Sequence, residues 1–130
     1  MTIAVDTNVL VRYLTWDDEA QAVAAATAIE TDEQVAISTI VLCELAWVLG
    51  RAYRYTQEEI AAAIARIVSS RNVVTDRPVA EAGLAMLRRG GDFADGAVQC
   101  EANRARCRYV ITFDRDFARL LGPDRVVLLG

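Results

Sequence analysis

Apolar residues fall in short runs broken by polar turns, and the spacing within the runs switches between strand and helix periods. Thr2 to Val5 is a brief apolar run ending at Asp6, and Asn8 to Leu14 carries helical spacing. Asp17 and Asp18 stand as N-cap residues for an alanine-rich helix through about Glu30, and Gln34 to Ile37 follows as a strand stopping at Ser38. Thr39 to Tyr53 is a long, very apolar helix carrying Glu44. Thr56 with Glu59 forms a capping box, after which Ile60, Ile64, Ile67 and Val68 give one buried stripe. Val73 and Val74 mark a third strand. Pro78 opens a helix through about Leu87, Arg88 to Gly91 breaks it, and Asp92 starts another to about Arg106. Tyr109 to Thr112, Arg115 to Leu121 and Val126 to Leu129 complete the chain as strand, short helix and strand. This alternation predicts a three-layer α/β domain over residues 1–130 with a mainly parallel sheet.

In open parallel sheets, functional groups collect beyond the carboxyl ends of the strands. Asp6 follows the first strand and Asp114 the fourth, so both belong on that edge. Glu44 lies within about two helical turns of it, at ~1.5 Å rise per residue. Asp95 falls in the first turn of its helix and faces the same rim. Asp92, Asp17 and Asp76 are ordinary helix caps by position. Glu44 interrupts the apolar segment from Ile40 to Leu49, where a buried charge needs an arginine partner or a ligand's duty. Asp116 is either an outer helper to Asp114 or the cap of the short helix.

The composition narrows the chemistry. The chain has 130 residues, no histidine and no lysine, so the imidazole base, the Schiff-base lysine and the phosphate-loop lysine are all excluded. Carboxylates gathered without a basic partner repel one another, and a divalent cation relieves them. The pattern therefore points to a Mg²⁺ or Mn²⁺ site. With 54% hydrophobic residues the core is ample, and no apolar run approaches the roughly 20 residues needed to cross a bilayer. A soluble, cytoplasmic protein without a signal peptide is expected, with Cys43, Cys100 and Cys107 as buried, reduced thiols. The net charge is −4, yet setting aside the four acids and Asp116 leaves thirteen acidic groups against fourteen arginines. The acidity is concentrated in the candidate site, and a nucleic-acid partner stays open.

Four segments carry a family resemblance. Val5 to Leu10, Ser38 through Glu44, Asp92 to Asp95 and Ile111 to Phe117 resemble, in order and separation, the successive motifs of PIN-domain ribonucleases, in particular the VapC-type toxins of bacterial toxin–antitoxin systems. The resemblance implies an α/β/α sandwich and a catalytic quartet of Asp6, Glu44, Asp95 and Asp114. It also implies Mg²⁺- or Mn²⁺-dependent cleavage of RNA, and a homodimer or hetero-oligomer with a small VapB-like antitoxin.

On this footing Asp6 and Asp95 are the principal metal ligands, Asp114 is a ligand directly or through water, and Glu44 orients the attacking water. Asn8, Thr112 and Asp116 support them. Arg12, Arg88, Arg89 and Arg115 are the candidate contacts to single-stranded or loop RNA, with Gly90 and Gly91 giving a flexible approach. Trp47, Val48, Tyr53 and Tyr55 exceed one buried stripe and are candidates for an antitoxin groove or dimer contact. Two other classes compete: an acidic-nucleophile phosphatase or phosphotransfer domain using Asp6, and a non-catalytic RNA- or protein-binding module. The absence of lysine weighs against the first.

Overall fold

The structure is a computed structural model that describes residues 2–130. In chain order the elements are β1 (Thr2–Ala4), α1 (Thr7–Thr15), α2 (Glu19–Ile29), β2 (Gln34–Ala36), α3 (Thr39–Arg51) and α4 (Gln57–Val68). These are followed by β3 (Val73–Val74), α5 (Arg77–Arg88), α6 (Phe93–Arg104), β4 (Val110–Thr112), α7 (Arg115–Leu121) and β5 (Val126–Leu128). Every element expected from the pattern is present, with ends shifted by one or two residues where helices fray.

All strand pairs are parallel, as the alternation with helices requires. β2 lies between β1 and β3, with Ile3 opposite Val35 and Val35 opposite Val73. β4 and β5 form a separate ladder in which Ile111 pairs with Val127. The α/β class with flanking helices stands, with its strands divided between two ladders.

The core gathers on β2 and the inner faces of α1, α3, α4 and α5. Val35, Leu10, Leu42, Leu45, Leu49 and Ile64 are fully enclosed. The capping box at the start of α4 is formed: the Glu59 N–H donates to the Thr56 hydroxyl at 3.1 Å, and the Thr56 N–H to the Glu59 carboxylate at 2.9 Å. Between α2 and β2, the Asn72 amide donates to the carbonyl of Ile29 at 2.8 Å and fastens the turn that sets the β2 register.

Several local expectations are corrected. Asp18, not Asp17, caps α2, accepting from the Gln21 N–H at 3.1 Å. Asp17 instead pairs with Arg12 at 3.0 Å and accepts from the Tyr53 hydroxyl at 2.6 Å. Both aspartates suit the cap in sequence, and the tertiary partners decide between them. Asp92 occupies the N-cap position of α6 but its side chain accepts no capping bond. Cys107 is exposed and Cys43 and Cys100 are half-buried, all three free thiols. Gly91 is enclosed rather than loose, because the Leu120 and Met86 side chains lie against it.

Candidate active site

Asp6 stands just past the end of β1 and caps α1, its carboxylate accepting from the Thr7 N–H at 2.7 Å. Thr7 itself is buried, and its hydroxyl donates to the Glu44 carboxylate on α3. That bond ties the two helices together and holds the first pair of acids. Glu44 is exposed, contrary to the expectation of a buried charge. Leu42, Leu45, Ala46 and Leu49 form the inner stripe of α3, and position 44 falls outside it.

The second pair is carried by α6 and α7. Asp95 sits half-buried in the first turn of α6, which is pressed unusually close to α5. The Phe93 ring occupies the space a side chain on Gly83 would need, and a Cβ on Gly96 would collide with the Ala82 carbonyl. Burial pushes the Asp95 carboxyl up to about 6, reinforced by the negative charges of Asp92 and Asp114. Asp92 therefore belongs to the site's electrostatics, a role its cap-like position in the sequence concealed.

Asp114 caps α7, accepting from the Asp116 N–H at 2.9 Å and the Phe117 N–H at 3.0 Å. Thr112 fixes its backbone, the hydroxyl accepting from the Asp114 N–H at 2.9 Å. The cap of α7 is thus Asp114; Asp116 points outward to Arg119 at 3.4 Å. The Arg89 guanidinium donates to the Leu120 carbonyl, which docks α7 on the turn between α5 and α6.

The four acids thus divide into Asp6 with Glu44 and Asp95 with Asp114. Among the described residues no three acidic or cysteine side chains converge closely enough to enclose one ion. None of the four is ion-paired there either, although the chain has fourteen arginines. The donor set is entirely carboxylate oxygen, which suits a hard divalent cation.

Asn8 and Arg12 line a groove between α1 and α2. Arg12 is held by Asp17, by Gln21 at 2.6 Å and by Tyr53 at 3.2 Å, and the Asp17 charge raises its pKa. Arg88 and Arg115 are exposed and unpaired among the described residues. Val48, Tyr53 and Tyr55 pack against the core, leaving Trp47 alone of that group exposed.

The model of the PIN domain family matches residues 3–122, a span that contains all four acids and every supporting residue just described. The chain belongs to the PIN domain family. Among solved structures this PIN domain is similar to VapC20 of Mycobacterium tuberculosis, described as a toxin that cleaves the sarcin-ricin loop. The identity is 19%, over 95% of this chain and 98% of that one, with a TM-score of 0.44. It is also similar to VapBC2 from Rickettsia felis, solved bound to a DNA fragment from their promoter. There the identity is 18%, over 97% of this chain and 96% of that one, with a TM-score of 0.41. No curated protein matches this PIN domain in sequence.

Proposed function

We propose that this PIN-domain chain is a metal-dependent endoribonuclease, the toxin of a toxin–antitoxin pair acting in the cytoplasm. It cleaves single-stranded or loop RNA to leave 5′-phosphate and 3′-hydroxyl ends. The observation that carries this reading is Asp95, a half-buried carboxyl with no cationic partner among the described residues and with Asp92 and Asp114 close enough to repel it. Such a cluster costs stability unless a cation neutralises it.

Asp95 and Asp114 would hold Mg²⁺ or Mn²⁺, an ion that one or two carboxylates suffice to bind, and Asp6, which stands with Glu44, would contribute through a bound water. When bound, the ion supplies a water of lowered pKa and draws charge from the phosphoryl oxygen. Glu44, fixed by Thr7, orients the attacking water, and Thr112 holds the backbone that presents Asp114. Asn8, in the α1–α2 groove, and Asp116, paired with Arg119, would act at most as outer helpers. Arg88 and Arg115 take phosphates of the RNA; Arg12 and Arg89 are held in the protein's own contacts and contribute at the margin.

A protein partner, either an antitoxin or a second copy, is favoured by the apolar surface of the β4–β5 ladder. Phe113 is 76% exposed there, beside Ile111, Leu128 and Leu129. No helix among the described residues is long and apolar enough to cross a membrane.

The test is cleavage of total RNA by the purified chain with Mg²⁺ or Mn²⁺, with EDTA, and with Asp95→Asn, followed by sequencing of the fragment ends. Discrete metal-dependent cuts bearing 5′-phosphates, absent in the variant, are expected. Ends carrying 2′,3′-cyclic phosphate, or no metal-dependent cutting by folded protein free of antitoxin, would overturn the proposal.

A further inference from the structure

The outer face of α3 is unusual for so apolar a helix. Ile40, Glu44, Trp47 and Arg51 follow one another along it at helical spacing, all exposed, while the leucines face inward. Trp47 is 65% exposed, and the Arg51 guanidinium lies 6.0 Å from its ring centroid. Arg51 forms no ion pair among the described residues. Beside the ring opens a cavity of about 420 Å³ whose walls include Trp47, Arg51, Gln57, Asp92, Phe93 and Ala94. That volume is within the range of about 300–1,000 Å³ found for small-ligand sites. The lining also includes Cys43, and Cys43 and Ala94 are the chain neighbours of Glu44 and Asp95. The cavity is therefore walled in part by α3 and α6, the helices that carry Glu44 and Asp95.

We propose that this cavity receives an unpaired base of the RNA, stacked on Trp47, with Arg51 on the adjoining phosphate. The proposal rests on the endoribonuclease reading and states where its substrate is gripped. A base covers the exposed indole face, and the arginine serves both the ring and the backbone phosphate. Phe93 supplies an apolar wall. Asp92, which caps nothing, offers acceptor oxygens to an exocyclic amino group of the base. Gln57 gives an amide hydrogen to the Gly90 carbonyl at 3.1 Å, and its own carbonyl oxygen is left as a further acceptor. A partner helix needs a long groove with apolar anchors at successive turns, whereas the lining of this cavity includes the polar side chains of Arg51, Gln57 and Asp92. Those polar groups favour a nucleotide.

Binding is measured in EDTA, so that the result does not depend on cleavage. The chain has two tryptophans, and Trp16→Phe leaves Trp47 as the only one. Titration of that variant with a short single-stranded RNA is expected to quench Trp47 fluorescence to saturation, and the same strand annealed to its complement to quench far less. Trp47→Ala is expected to weaken single-strand binding roughly ten-fold, Trp47→Phe to retain most of it, and Arg51→Gln to flatten its salt dependence. Unchanged affinity in Trp47→Ala together with no quenching overturns the proposal. So does a Trp47→Ala variant altered only in its sedimentation, which assigns the face to a protein contact. Quenching and weakened binding without any metal-dependent cutting uphold this site and remove the nuclease reading alone.

Discussion

The Thr7 hydroxyl donates to the Glu44 carboxylate, joining the first turn of α1 to the middle of α3. Thr7 is only 5% exposed, so the bond is sheltered at its donor end. Thr7→Val keeps the shape and deletes the donor. A loss of about 1.5–3 kcal/mol in urea unfolding is expected, the scale of one hydrogen bond to a charged group. RNA cleavage should fall with it because Glu44 is released, while Thr7→Ser keeps both. Unaltered stability and cleavage in Thr7→Val would show that the bond does neither job.

Asp95 makes stability fall as pH rises. Its carboxyl in the folded protein titrates near 6, above the ordinary aspartate range, so the folded state holds the proton more tightly than the unfolded chain does. The resulting stabilisation is complete below about pH 4 and is lost as pH climbs through 6. In EDTA, Asp95→Asn should therefore flatten the pH profile between these limits and unfold later than the parent at pH 7. A difference in denaturation midpoint between the two proteins that is the same at pH 4 and pH 7 would refute the assigned environment.

Gly96 permits α6 to lie directly on the backbone of α5. Gly96→Ala places a methyl group against the Ala82 carbonyl, and main chain yields less readily than a side-chain tip. A cost of about 1–3 kcal/mol is expected, the usual range for overpacking. Calorimetry should register this as a lower Tm, with metal affinity reduced because the turn bearing Asp95 is displaced. An unchanged Tm would mean that the helices separate without penalty.

The arginines should divide by their partners. Arg88→Gln and Arg115→Gln remove exposed, unpaired cations, and each should lower the salt slope of RNA binding by about 0.7, the single-strand value per phosphate. Arg12→Gln instead breaks the contacts with Asp17, Gln21 and Tyr53, and its main effect should be on thermal stability. Fluorescence anisotropy across a salt series separates the two groups; equal slopes for all variants would dissociate these arginines from RNA.

Much of the fold was legible because local chemistry agreed with it. The Thr56–Glu59 box and the stripe of Ile60, Ile64 and Ile67 each admit one local solution, and α4 formed accordingly. The PIN motifs, too, stood in the sequence in their proper order. What escaped depended on distant neighbours. Asp17 and Asp18 are equivalent as caps until Tyr53 and Arg12 claim one of them. Asp92 has the sequence of a cap, and only the folding of α7 back onto the α5–α6 turn shows it sharing a field with Asp114. The exposure of Glu44 was readable, since Ile40, Glu44, Trp47 and Arg51 repeat at helical spacing, but the surrounding apolar letters masked that period.

β4, α7 and β5 pack chiefly on one another, and among the described residues the bond from Arg89 to Leu120 is the side-chain hydrogen bond that joins them to the helices before them. Such a segment can open without the rest of the molecule, so its amides should exchange with deuterium sooner than those of β2. Asp114 travels with it while Asp95 stays behind. An ion gripping both would convert a separate local opening into part of the global one, and added cation should slow exchange most in Val110 to Thr112, far more than in a core already closed.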